Sequence, residues 1–143
     1  MGILTDVVIA RPDDAEAIGL SDYPAESWTT RDMKGILYED FGTLYDVITG
    51  MPCDGDLEQF LPFVAGDKDH GPWVFRFNDD ILGAIAAIPA DGAEKVAAAW
   101  AASEGLQMGG WSAEDASAVI VGLVDLACQA RKNDLAMFVW TSL

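Results

Sequence analysis

Positive charge is scarce in this chain. Eight lysines and arginines stand against 24 aspartates and glutamates in 143 residues, a formal net charge of −16. Contact with phosphate backbones or an anionic bilayer surface needs a surplus of Lys and Arg. Nucleic-acid binding of the usual electrostatic kind and membrane binding are therefore excluded as expectations. Histidine occurs once, as His70, and cysteine twice, as Cys53 and Cys128. A structural zinc site wants four Cys or His ligands, so no metal is expected, and nothing points to another cofactor. Neither thiol requires a disulfide. Both are expected free, with Cys53 in a loop after a proline and Cys128 buried in a helical apolar pattern as a small core hydrophobe. Long uncharged runs are missing too. Ile81–Ala90 is the longest, with Ala116–Val124 and Leu135–Leu143 similar, well short of the roughly 18–20 residues that span a bilayer. Met1–Ala10 carries Asp6 and lacks a basic leader, so it reads as a strand rather than a signal peptide, and the expected compartment is the cytoplasm.

What is present is apolar. Hydrophobic residues make up 51% of the chain and charged ones 22%, which excludes a disordered acidic tail. Proline and glycine are spread as punctuation, with no repeat and no linker, so residues 1–143 are expected to form a single domain. Ile3–Ala10 is apolar and β-branched, a strand. Pro12-Asp13-Asp14 opens a short helix that stops at Gly19, and Ser21–Thr30 reads as loop. Phe41, Leu44, Tyr45 and Ile48 fall on one stripe of a helix over Glu39–Thr49, stopped by Gly50. Met51–Gly71 is irregular apart from a short helix at Leu57–Phe60. Pro72–Phe77 looks like a strand. Asn78 or Asp79 caps a helix through Ile88. Asp91 with Glu94 suggests a capping box for an alanine-rich helix reaching Glu104, closed by Gly105. Ser112 with Asp115 suggests another, opening the longest helix, Ala113–Lys132. Leu135–Thr141 is a last strand with two apolar faces, hence central or covered on both sides. The expected class is α+β, a small sheet of about three strands packed with four or five helices.

Several segments carry a resemblance. These are the opening Met1-Gly2-Ile3-Leu4-Thr5-Asp6, the block Gly71-Pro72-Trp73-Val74-Phe75-Arg76, the helix end Ile48-Thr49-Gly50 and the tail Phe138–Leu143. Together they resemble a group of small bacterial hypothetical proteins of uncharacterised function. The order of elements is also similar to the YfbM-like domain of unknown function, in which a helix ends in a Thr-Gly stop and a C-terminal helix leads into a final strand. The resemblance implies a structural likeness over most of the chain. It supplies no activity and no catalytic residues.

Chemistry is hard to localise. Cys53 and His70 could form a nucleophile pair, or be two unrelated loop residues, and no local signature accompanies either. The acidic segments Asp54–Glu58 and Asp67–Gly71 invite a calcium reading. Counting from Asp54 puts Gln59 and Ala65 where the EF-hand needs Gly and Glu, and counting from Asp67 puts Pro72 and Asn78 there, so turn chemistry explains both segments better. Paired carboxylates carry little weight in so acidic a chain. Gly109-Gly110-Trp111-Ser112 precedes a helix, where an anion could sit, yet it reads more simply as a tight turn and an N-cap. The C-terminal Thr141-Ser142-Leu143 finishes a hydrophobic strand. Among five tryptophans, Trp100 and Trp140 fit the core, while Trp28, Trp73 and Trp111 sit in settings where indoles also anchor ligands or partners.

No catalytic residue and no metal ligand is nominated. The candidate binding residues are Asp67, Asp69, His70, Trp73 and Trp111. The leading reading is a non-enzymatic interaction protein, of the acidic inhibitor or immunity type, whose partner is a cationic protein. The alternative is a small-molecule-binding domain or small enzyme with a cleft near Asp67–Trp73. A self-associating subunit is a third reading. Many acids (Asp13, Asp14, Asp79, Asp91, Glu94, Asp115) stand where helix starts favour them, so part of the acidity is local structural chemistry.

Overall fold

The computed structural model describes residues 3–33, 35–50 and 57–143. Five strands form one antiparallel sheet: β1 (Leu4–Ala10), β2 (Thr29–Asp32), β3 (Phe63–Gly66), β4 (Trp73–Arg76) and β5 (Ala136–Ser142), in the order β2-β1-β5-β4-β3. The two long apolar strands, β1 and β5, pair over their full length at the centre of the sheet. Alternation of side chains along them feeds two cores. Val7, Ile9, Met137 and Val139 join the larger core, and Val8, Ala10, Ala136, Phe138 and Trp140 join the smaller one. A strand apolar on both faces has to be covered on both, as expected for β5.

The helices are α1 (Ala15–Gly19), α2 (Tyr38–Thr49), α3 (Leu57–Phe60), α4 (Asp79–Ala86), α5 (Ala93–Ala101), α6 (Glu104–Met108) and α7 (Ala113–Lys132). Helices α2, α4, α5 and α7 pack over the larger core. There Phe41, Leu44, Ile81, Ile85, Trp100, Ile120 and Leu123 are buried. Among the described residues, α1 and the 3-10 turns Pro12–Asp14 and Pro24–Glu26 cover the smaller core, with Ile18 and Trp28 packed in it. Long α7 starts as its sequence suggests. Ser112 Oγ accepts from the Asp115 N–H at 3.1 Å, and Asp115 accepts in return from the Ser112 N–H at 3.4 Å. Asn78 caps α4 by accepting from the Ile81 N–H at 3.0 Å. Gly50 ends α2 in the left-handed region, φ 71°.

The class is α+β as expected, and the detail differs. The sheet has five strands rather than about three, and seven α-helices are found among the described residues rather than four or five. Strand β2 is the short polar stretch Thr29-Thr30-Arg31-Asp32, mostly exposed at a sheet edge, so it shows no alternation to find. Strand β3 is four residues long, carries a register shift between Phe63 and Ala65, and forms the other edge. The alanine-rich helix ends at Ala101 instead of Glu104, and α6 begins afresh after Ser103. Its N-cap is Gly92, so Asp91 and Glu94 form no capping box. Cys128 is exposed, not buried. It sits between the inward positions Ala127 and Ala130 but off their stripe, with its thiol 3.6 Å from the Ala86 carbonyl. Cys53 and the acidic turn at Asp54–Asp56 lie outside the described residues. Among the described residues, no helix is long and apolar enough to cross a membrane.

Candidate functional site

Four of the five candidate binding residues belong to one hairpin. Asp67, Asp69 and His70 lie in the turn between β3 and β4, and Trp73 opens β4. The Asp67 carboxylate and the Trp73 indole N–H are turned on the loop itself. The Asp67 carboxylate accepts from the backbone N–H groups of Asp69 (2.9 Å) and His70 (3.2 Å). Those bonds hold its carboxyl below the ordinary range, with the neighbouring His70 imidazole, 3.5 Å away, adding to the effect. The Trp73 Nε1–H donates to the Lys68 carbonyl at 3.0 Å, and its ring covers Gly71. The Gly71 N–H returns to the Asp67 carbonyl at 2.8 Å. Asx-type capping of this kind is what an Asp-rich turn does to satisfy its backbone. Gly66, at φ 102°, is demanded by the same turn, because a Cβ there would run into the Pro72 carbonyl. Among the described residues, no three His, Cys, Asp or Glu side chains gather so as to hold a metal.

Beside this hairpin lies the thin cover of the sheet, which is an acidic stretch. The stretch from Pro12 to Glu26 contains Asp13, Asp14, Glu16, Asp22 and Glu26 and no lysine, arginine or histidine. All but half-buried Asp14 are exposed. Two large apolar side chains stand out of it, Leu20 at 87% exposure and Tyr23 at 68%. Their exposure follows from the brevity of α1. A five-residue helix turns one residue, Ile18, fully into the smaller core and leaves Leu20 beyond its end. Between α1 and edge strand β3 runs a groove of about 760 Å³, with Glu16 and Asp67 as its carboxylates and Leu20, Phe63, Val64 and Pro72 as apolar walls. Asp69, His70 and Trp73 are not among its lining residues.

Trp111 belongs elsewhere. It lines a cleft of about 490 Å³ between the β2 edge, the α6–α7 turn and the first half of α7, with Arg31, Met33, Asp115, Val119 and Gly122. The structure thus separates Trp111 from the other four candidates. Arg31 pairs across the sheet edge with Asp125, Nη2 to Oδ2 at 3.0 Å, and its stem lies against Gly122.

Two acids show displaced titration that no sequence pattern announced. Asp6 in β1 stands directly opposite Asp32 in β2. Burial first, and the Asp32 charge second, raise the Asp6 carboxyl from 3.8 to about 6. Asp40, buried at the start of α2, is raised by burial despite accepting from the Leu37 N–H at 2.9 Å. Asp40 also ties the helix layer together, since its carbonyl accepts from the Trp100 Nε1–H at 2.9 Å. The residues that sequence reasoning missed are Leu20, Tyr23 and Arg31. The base-free run around Leu20 and Tyr23 was open to view in the sequence, whereas Arg31 could not be placed without β2.

No family model matches the chain, and neither the curated proteins nor the solved structures yield a match. The likeness to the YfbM-like domain of unknown function stays a reading of residues alone.

Proposed function

We propose that this chain is a non-enzymatic cytoplasmic interaction protein that docks a cationic protein on its acidic face, as an acidic inhibitor or immunity-type protein does. The observation that carries the reading is the exposure of Leu20 and Tyr23 among five carboxylates with no basic residue between Pro12 and Glu26. Large exposed apolar side chains within an acidic stretch give a partner two things. The carboxylates steer it and set salt dependence, and the apolar groups supply contact area once water is expelled. A tyrosine suits the centre of such a patch because its ring is rigid and its hydroxyl can remain solvated. The chain's net charge of −16 acts in the same direction at longer range and opposes nucleic acid and anionic membranes as partners.

The alternative, a small-molecule or catalytic cleft at Asp67–Trp73, has less support. The Asp67 carboxylate and the Trp73 indole N–H are occupied by the turn's own backbone. His70 is an exposed turn residue rather than a pocket residue.

The test uses lysozyme as a cationic protein probe in surface plasmon resonance at several salt concentrations. Neutralising Asp13, Asp14, Glu16, Asp22 and Glu26 to Asn or Gln is expected to weaken binding at least tenfold. Neutralising five helix-layer acids (Glu39, Asp79, Asp80, Glu94 and Glu114) is expected to weaken it less than threefold. Equal losses from the two sets would mean that charge alone, on any face, is being read, and the docking face would be abandoned.

A further inference from the structure

The groove between α1 and β3 carries the acidic stretch on to the edge of the sheet. Every residue from Phe63 to Asp67 borders it in a row, with Gly71 and Pro72 at the turn end. Across from them, α1 contributes Glu16, Gly19 and Leu20, which share one helix face at i, i+3 and i+4. Gly19 lets that face close on the strand, because a Cβ there would stand 2.8 Å from the Gly66 nitrogen. Strand β3 is last in the sheet order, and among the described residues only β4 bonds the backbone of Phe63–Gly66. An open strand edge is a template on which an extended chain can lie. The register shift between Phe63 and Ala65 interrupts the ladder, so side-chain contact has to supply most of the attraction there.

The lining says which side chains fit. Leu20 is 87% exposed and Val64 38%, and Phe63 and Pro72 add apolar wall. The charged residues of the lining are Glu16 and Asp67, both acidic. Glu16 is exposed, and among the described residues no hydrogen bond or ion pair reaches its carboxylate. The Asp67 carboxylate is spent on the Asp69 and His70 N–H groups, which keep it ionised, so it contributes charge rather than contact. The turn's Lys68 is not part of the lining and holds its ammonium 5.2 Å from the centre of the Phe63 ring. We propose that this groove seats an extended segment of the cationic partner, one that carries basic and apolar side chains together. A basic side chain of the segment meets Glu16, within the field of Asp67, and apolar ones cover Leu20, Val64 and Pro72. The seat presupposes the docking of a cationic protein proposed above and adds where one segment of that protein lies.

Isothermal titration calorimetry on the full chain tests this with three capped pentapeptides, Lys-Val-Lys-Val-Lys, Lys-Ser-Lys-Ser-Lys and Glu-Val-Glu-Val-Glu. The first is expected to bind at least tenfold more tightly than the second, and the third to give no heat. Amide chemical shifts should move at Glu16–Leu20 and Phe63–Asp67. Val64→Lys should weaken the first peptide at least tenfold. Met108→Lys, which adds the same charge at a side chain 82% exposed on α6, should weaken it less than threefold. Glu16→Gln and Glu39→Gln repeat the comparison between two exposed acids without touching the strand, with a loss of at least threefold expected from Glu16→Gln alone. Circular dichroism checks that each variant is folded, and the Glu16 pair decides if Val64→Lys is not. No heat from the Lys-Val peptide, equal binding of the two lysine peptides, equal losses within the deciding pair, shifts confined to other segments, or a dimer that shows the same shifts without peptide would each overturn the proposal. Lysozyme binding that still depends on the acids from Pro12 to Glu26 would then leave the docking face standing without the groove. Lysozyme binding indifferent to those acids would end both.

Discussion

Asp6→Asn should make the protein more stable at neutral pH and leave it unchanged in acid. Asp6 is half-buried in β1 and faces Asp32 across the strand pair. Its carboxyl is raised from 3.8 to about 6 by burial and by the Asp32 charge. Below about pH 4 the group is neutral in folded and unfolded chains alike, so an amide of the same shape changes little. Between about pH 4 and 6 the folded chain holds the proton more tightly than the unfolded one, and stability falls as pH rises. Above 6 the folded chain carries the full cost of the ionised form. An elevation of that size corresponds to about 3 kcal/mol at pH 7. The side chain is only half-buried, so solvent screening brings the expected gain for Asp6→Asn down to about 1 kcal/mol. In a domain of this length that is a rise of about 3 °C in Tm. The assay is urea unfolding of both proteins from pH 3 to 8, read as a difference so that the many other carboxylates cancel. A difference that does not vary with pH, or a variant less stable than wild type at pH 7, would refute the reasoning.

Other expectations follow from single contacts. Trp100→Ala removes a fully buried indole and its bond to the Asp40 carbonyl, with an expected loss of about 3–5 kcal/mol in urea unfolding. Gly66→Ala places a Cβ against the Pro72 carbonyl at φ 102° and should cost at least about 2 kcal/mol in the same assay. Asp67→Ala should speed amide exchange at Asp69 and His70, while Asp67→Asn preserves protection there. Cys128, exposed on α7, should react with a thiol reagent in the native state, and Cys128→Ser should change stability by less than about 0.5 kcal/mol.

How far the sequence could be read depended on how each element is stabilised. Helix α7 was legible because its cap, its stripe from Ala116 to Ala130 and its terminal Arg131-Lys132 agree with one another. Strand β5 was legible as central because both its faces are apolar. Edge strands β2 and β3 were not, since an edge strand is held by backbone pairing on one side and Thr29–Asp32 shows no periodicity. Cys128 was misplaced for a related reason. Residues 116–130 are apolar over so wide an arc that one position off the stripe looks like a member of it. At the level of function, the candidate binding residues Asp67, Asp69, His70 and Trp73 fall in one hairpin because turn residues are close in sequence. Their hydrogen bonds, which commit Asp67 and Trp73 to the turn, depend on backbone geometry that no spacing reveals. The acidic face needed the fold as well, for only the shortness of α1 shows that Leu20 and Tyr23 stand exposed among those carboxylates.

Docking of a cationic protein on that face is tested most directly by site-specific photo-crosslinking in the cells that make this protein. Photoreactive residues replace Leu20, Tyr23 and, as a control, Met108, which is 82% exposed on α6. The expected result is one discrete adduct with a basic protein at positions 20 and 23 and none at 108. The purified pair should then dissociate as salt is raised. An absence of adducts at 20 and 23, the same adducts at all three positions, or an acidic protein in the adduct would contradict the proposed function.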